Sequence, residues 1–200
     1  MKRKFKKVYQ FKITLQGIKP PVWRRIQVPE TYTFWDLHVA IQDSMGWSDE
    51  HLHEFRIVNP CTGGTESIGI PDDEGWGPPV APGWRRNIAF YFSEANPKAK
   101  YIYDFGDNWL HTVRLEKVLD RQPGVKYPLC VGGRRACPPE DCGGVPGYER
   151  LLEIVADPSH EEFETMSEWL GDDFEPEDFD PRRIIFTDPK ERWKTLFQRF

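Results

Sequence analysis

The residues of this chain best suited to chemistry fall in three places. The densest is Cys130-Val-Gly-Gly-Arg-Arg-Ala-Cys137-Pro-Pro-Glu-Asp-Cys142, followed by Gly143-Gly-Val-Pro-Gly-Tyr148, which carries three of the four cysteines. Its C-x6-C-x4-C spacing matches no standard zinc-finger pattern, yet three thiolates meeting at one point would supply three of the four ligands zinc needs. A plainer reading makes them reduced, inert thiols under a tight loop. Redox or nucleophilic chemistry is a third, and it would require a thiolate. The second place is His51-Leu-His53, where alternation along a strand puts both imidazoles on one face, a geometry metals use. The third is Asp104-Phe-Gly-Asp107-Asn-Trp-Leu-His111. Its two aspartates bracket a turn, where capping of backbone N–H groups is their ordinary task and metal or general-base work the sharper one. His111 alternates inward with Trp109 and Val113, which makes it the expected fourth ligand of a structural zinc held by Cys130, Cys137 and Cys142.

Positioning these groups requires a sheet. Val8–Leu15 alternates with period two, Gly17 and Pro20-Pro21 turn the chain, and Val22–Val28 returns as the second arm of a hairpin. Arg24 and Arg25 then point to opposite faces, so at least one is partly covered by the sheet and wants a carboxylate partner across it. Thr33, with Asp36 three residues on, opens a helix whose apolar stripe is Phe34, Leu37, Ile41 and Met45, and Gly46 closes it. His38 lies on the flank of that stripe, as expected of a partly buried, hydrogen-bonding histidine. A third strand runs from His51 to Val58. Residues 59–88 show little periodicity and read as a long loop packed down by Trp76 and Trp84. Ala99–Phe105 and Trp109–Leu119 form the clearest hairpin, joined through Gly106-Asp-Asn108.

The cysteine run cannot be an ordinary strand or a helix interior, because its prolines remove donors and its glycines cost backbone entropy. A helix should follow from Pro146 to Asp157, and another capped by Ser159 should bury Phe163, Met166, Trp169 and Leu170. The acidic segment 172–180 then leads to a terminal helix from Pro189. Strands, helix and strands followed by helices predict an α+β fold. The expected form is a roll-like antiparallel or mixed sheet with a helix packed on it, plus a C-terminal helical region. The 200 residues read as one domain, with a sheet core over 1–125 and the Cys/Pro/Gly loop and helices over 126–200.

Aromatic residues make up 14 % of the chain and include eight tryptophans, against 38 % hydrophobic residues in all. The core should therefore be aromatic-rich. No stretch is apolar for long enough to span a membrane, and the start Met1-Lys-Arg-Lys-Phe lacks the apolar run of a signal peptide. A cytoplasmic protein with reduced cysteines is the expectation. The net charge is −5, but residues 1–30 hold nine Lys/Arg against Glu30 alone, and residues 151–200 hold fourteen Asp/Glu against six Lys/Arg. An acidic whole gives little electrostatic drive toward nucleic acid. The acidic segment reads as a solvated face, with a divalent ion or a basic partner as the alternative.

Several phrases together carry a resemblance. They are Leu15-x-Gly-Ile-Lys-Pro-Pro-Val-Trp-Arg-Arg25, Met45-Gly-Trp47, His51-Leu-His-Glu-Phe55, Tyr103-Asp-Phe-Gly-Asp-Asn-Trp109-x-His111, Arg135-Ala-Cys-Pro-Pro-Glu-Asp-Cys-Gly-Gly144 and Gly147-Tyr148. With them the chain resembles the Ri-plasmid open-reading-frame-three-like proteins of plasmids, mobile elements and prokaryotic genomes, from about Tyr9 to Phe186. The resemblance implies an α+β roll-like core and no established activity. Some members carry transposon-associated labels, but no serine nucleophile stands near a basic DNA-binding helix here.

The chain contains no phosphate loop, dinucleotide fingerprint, H-E-x-x-H or G-x-S-x-G. Those absences and the aromatic excess favour a non-enzymatic module that binds a protein partner. The first alternative is a metal-dependent, hydrolase-type enzyme with its site near Asp104, Asp107, His111 and the cysteine loop. The second is a nucleic-acid accessory factor working through the basic N-terminal hairpin, which the acidity of the chain disfavours.

Overall fold

A computed structural model describes residues 4–71, 79–171 and 174–197. Trp76, named above, Asp172 and Asp173 of the acidic segment, and Phe200 of the expected terminal helix lie outside the described residues.

The expected hairpin forms from β1 (Lys7–Leu15) and β2 (Trp23–Pro29), with Val8 opposite Pro29 and Thr14 opposite Trp23. β3 (His53–Val58), β6 (Lys98–Tyr103) and β7 (Trp109–Asp120) also lie where the alternation puts them. The residues read as a long loop supply more structure than their pattern shows. They hold β4 (Thr65–Gly69), β5 (Val80–Pro82), a short 3-10 turn at Gly83–Arg85 and, at their end, the start of helix α2 (Ile88–Tyr91). The cysteine run also departs from expectation. Its first part is β8 (Leu129–Arg134), which carries Cys130 and pairs with β2. A register shift between Arg25 and Ile26 lets the glycine-containing strand follow its partner.

The described residues form one eight-stranded sheet, in the order β5-β4-β3-β6-β7-β1-β2-β8, antiparallel except for the parallel β4–β5 pair. The α+β class is as predicted. Helix α1 (Phe34–Met45) starts with a complete capping box: Thr33 Oγ1 accepts the Asp36 N–H while Asp36 accepts the Thr33 N–H. Gly46 closes the helix in the left-handed region at φ 96°. The stripe of α1 packs on the face of the sheet bearing Phe11, Phe55, Tyr101 and Val113, and all of these are buried. Phe34 meets Phe55, Tyr91 and Phe92 at ring-centroid distances of 5.1, 5.3 and 5.9 Å, which bears out the aromatic core.

Among the described residues, helices α3 (Gly144–Ala156), α4 (Phe163–Leu170) and α5 (Pro189–Phe197) follow the sheet. α3 buries Tyr148, Leu151 and Ile154. α4 contains no fully buried residue, and Trp169 is 50 % exposed, so its apolar side packs less closely than its spacing suggests. Ser159 does not cap it but bonds to Asp157 within the preceding turn. One arginine of the pair finds the carboxylate expected, and the other does without. The outward Arg25 makes two bonds to Glu116, at 2.7 and 3.0 Å. Arg24, 1 % exposed, is satisfied by the carbonyls of Ser44, Trp23 and Arg134 and by the Phe179 ring. Carbonyls can replace a carboxylate there because a guanidinium offers five separate donors. Among the described residues, no helix is long and apolar enough to cross a membrane.

Candidate functional site

The zinc set expected from the sequence does not assemble. Two groups of three His, Cys, Asp or Glu among the described residues bring ligand atoms within 4.8 Å of one another, and neither contains a cysteine or His111. The physical reason lies in the strand. Cys130 is fixed on β8 with its thiol donating to the Gly132 carbonyl, whereas Cys137 and Cys142 belong to the loop beyond it. Burial pushes the Cys137 and Cys142 thiols up to about 12 and raises Cys130 as well, which keeps the protons on and argues against thiolate chemistry. His111 is fully buried beside Trp47 and Tyr101, and its pKa is depressed to about 4 by that burial.

The structure does unite the other candidates. The loop 138–144 folds back over the β6–β7 turn and is held there at several points. Trp47 Nε1 donates to the Pro138 carbonyl at 2.9 Å. The Ser48 N–H and hydroxyl donate to Glu140 at 2.9 and 2.6 Å, and the Tyr103 hydroxyl donates to the same carboxylate. The Gly143 N–H donates to Asp107 at 3.2 Å. Gly144 must be glycine at this crossing, because a Cβ would stand 2.5 Å from the Asp107 carbonyl and its φ is +67°.

These contacts bring Asp141 to His51 and Asp104. His51 Nε2 lies 3.1 Å from Asp141 Oδ1 and 3.8 Å from Asp104 Oδ2. Asp104 Oδ1 accepts the Gly106 N–H at 2.8 Å, the turn-capping role read from the sequence, and this leaves Oδ2 for the site. Both aspartates have positive φ, 55° and 58°, a conformation that costs energy outside glycine and collects at functional sites. The side chains of His51, Asp104 and Asp141 are 29, 11 and 69 % exposed, so the group opens to solvent on the Asp141 side. The turn aspartate was visible in the sequence and His51 in its H-x-H. Asp141 was not, because its part depends on where the loop folds.

The second group, His38, Asp49 and His53, is closed. His38 bonds through Nδ1 to the Tyr101 hydroxyl at 2.8 Å and through Nε2 to Asp49 at 2.7 Å, and Gln42 donates to the same hydroxyl. The His38 and His53 rings stack 3.4 Å apart and 9° from parallel. Their in-plane lone pairs therefore run side by side and do not converge on one ion. Burial lowers both imidazoles well below 6.5 and raises Asp49 to about 7. The H-x-H pair is thus split, with His53 in the dry network and His51 at the open site.

The architecture matches known proteins over most of its length. The plasmid pRiA4b ORF-3-like family model covers residues 7–183. The chain belongs to this family. A relative from Sinorhizobium fredii, the uncharacterized protein y4hQ, is 36 % identical over 165 residues, 82 % of this chain and 81 % of that protein. The crystal structure of MM3350 from Methanosarcina mazei Go1, a protein of unknown function, superposes with a TM-score of 0.87 at 53 % identity. That match covers 92 % of this chain and all of the other. This member of the pRiA4b ORF-3-like family therefore shares its α+β fold with a solved relative, and neither relative carries a stated activity.

Proposed function

We propose that this chain is a metal-dependent, hydrolase-type enzyme whose divalent cation lies between His51, Asp104 and Asp141. One observation carries the reading: an imidazole and two carboxylates, from three separate segments, place ligand atoms within 4.8 Å of one another at an opening to solvent. One nitrogen and two oxygens suit zinc or manganese, and three protein ligands leave coordination positions for water and substrate. A cation bound there would supply a water of lowered pKa and an electrophile for the substrate oxygen. The chain's own part is positioning. Glu140, held by Ser48 and Tyr103, fixes the loop that presents Asp141, and the Gly106 N–H orients Asp104.

The test is to strip the protein, reload it with zinc or manganese, and measure stoichiometry together with turnover of a panel of carboxylic and phosphoric esters. One equivalent of metal and metal-dependent turnover, both lost in Asp104→Asn, are expected. No stoichiometric binding would end the proposal.

The protein-binding reading keeps one supporting observation. A cavity of about 920 Å³ is lined by Trp35, Trp84, Trp193 and Phe186, with Asp36 and Asp188 balancing Lys190 and Lys194, and it fits a peptide bearing a bulky apolar side chain. A peptide library should then enrich such sequences on the wild type and not on Trp84→Ala; absence of enrichment removes this reading.

A further inference from the structure

The face of the sheet turned away from α1 carries a row of cations that the linear sequence hides. The register puts Arg25 of β2 opposite Lys12 of β1, Lys12 opposite Arg114 of β7, and Arg114 opposite Lys98 of β6. Four consecutive strands thus present a cation at the same level, over about 14 Å at the ordinary strand spacing. One step along, Lys100 of β6 stands opposite Arg56 of β3. Lys98, Lys100, Arg114 and Arg56 are exposed, and Lys12 and Arg25 are half-buried. Two carboxylates share the face: Glu116, paired with Arg25, and Glu54, paired with Arg56. Among the described residues, Lys12, Lys98, Lys100 and Arg114 form no ion pair within 4.0 Å.

Like charges directly opposite one another destabilise a sheet, and Glu116 offsets this at the Arg25 and Lys12 end alone, leaving Arg114 and Lys98, among the described residues, without a carboxylate within 4.0 Å. An anionic ligand would offset it at the other end. Trp23, on the strand of Arg25, adds an aromatic plane beside the row, with Lys12 Nζ 4.8 Å and the Arg25 guanidinium 5.1 Å from its ring centroid. Thr14 and Thr112, opposite each other in the next row, add hydroxyls. The acidity of the whole chain, which argues against nucleic acid, is not shared by this face.

We infer that this open face binds single-stranded nucleic acid, its phosphates crossing β2, β1, β7 and β6 along the row Arg25, Lys12, Arg114 and Lys98. A broad sheet cannot enter the major groove as a helix or narrow ribbon does, whereas basic grooves with aromatic platforms are the common means of holding single strands. The binding surface is separate from the His51 site and does not depend on it.

Fluorescence anisotropy of a labelled oligothymidine tests the inference. Binding should weaken with salt with a log–log slope near −3, since each neutralised phosphate of a single strand contributes about −0.7. The triple variant Lys12→Gln/Lys98→Gln/Arg114→Gln should lose affinity at least tenfold and flatten the slope by about 2. Its thermal midpoint should hold or rise, since the change removes like-charge neighbours and thereby reports retained folding. Any of four results would overturn the inference: no binding at low salt, unchanged binding by the triple variant, tighter binding of duplex than of single strand, or binding of polyglutamate or anionic vesicles in place of the oligonucleotide.

Discussion

The two His–Asp groups are built from the same residue types around two histidines, His53 at the start of β3 and His51 just before it, and they come to opposite ends. His53 joins His38 and Asp49 in a dry interior where every exposure is at or below 4 %. His51 joins Asp104 and Asp141 at a solvent opening. In the interior, burial drives all the groups toward neutrality: the imidazoles down, the carboxyl up. Each His38 nitrogen already has a partner there, so the group works as a clamp between α1, β3 and β6. At the opening, Asp104 Oδ2 and Asp141 remain available, and the geometry can accept an ion. Environment decides the role, and residue identity does not.

The largest effect that would break this contrast is on stability. His38→Ala takes one buried hydrogen-bond partner from Asp49 and one from Tyr101 and leaves a cavity, and should cost about 2–4 kcal/mol. His51→Ala, at a site open to water, should cost less than about 1 kcal/mol. Urea midpoints of the two variants measure the difference; equal losses would mean that the open site is structural too.

A second test uses acid. Burial lowers His111 from 6.5 to about 4, so the unfolded chain takes up a proton near pH 6.5 that the folded chain refuses until about pH 4. The contribution is complete above pH 6.5 and is lost as the pH falls through that window, by roughly 3 kcal/mol in full. His111→Leu should therefore make the fall in stability between pH 6.5 and 4 shallower. An unchanged acid limb would show that His111 is not held neutral by the core.

The arginine pair repeats the contrast on a smaller scale. Arg24→Met strands three carbonyls in the interior and should cost about 2 kcal/mol, whereas Arg25→Met removes a partly exposed pair and should cost about 1 kcal/mol or less. Denaturant midpoints in the reverse order would contradict the assignment of the two faces.

How far all this was legible in the sequence follows from range. Period-two alternation placed β1, β2, β3, β6 and β7, and the Thr33–Asp36 cap placed α1, because each signal is local. β4 and β5 were missed because they are short and lie among glycines and prolines. β8 was missed because Gly132 and Gly133 hide its alternation; the second of these sits under the Phe179 ring, which leaves no room for a side chain. The cysteines drew attention by their spacing, yet Cys130 belongs to a paired strand and the other two to the loop beyond it, and the three do not form a ligand group. Asp141 went unremarked because only the crossing of that loop over the β6–β7 turn gives it a partner. The cation row could not be seen at all without the register, since its four members come from four strands.

The central claim is that the open group binds a metal and the closed one does not. Titration of stripped protein with manganese, followed by the EPR signal of the free ion, separates them directly. The wild type and His38→Gln should each take up one equivalent, and His51→Ala should weaken binding at least about tenfold. Undiminished uptake by His51→Ala, or loss confined to His38→Gln, would contradict the account.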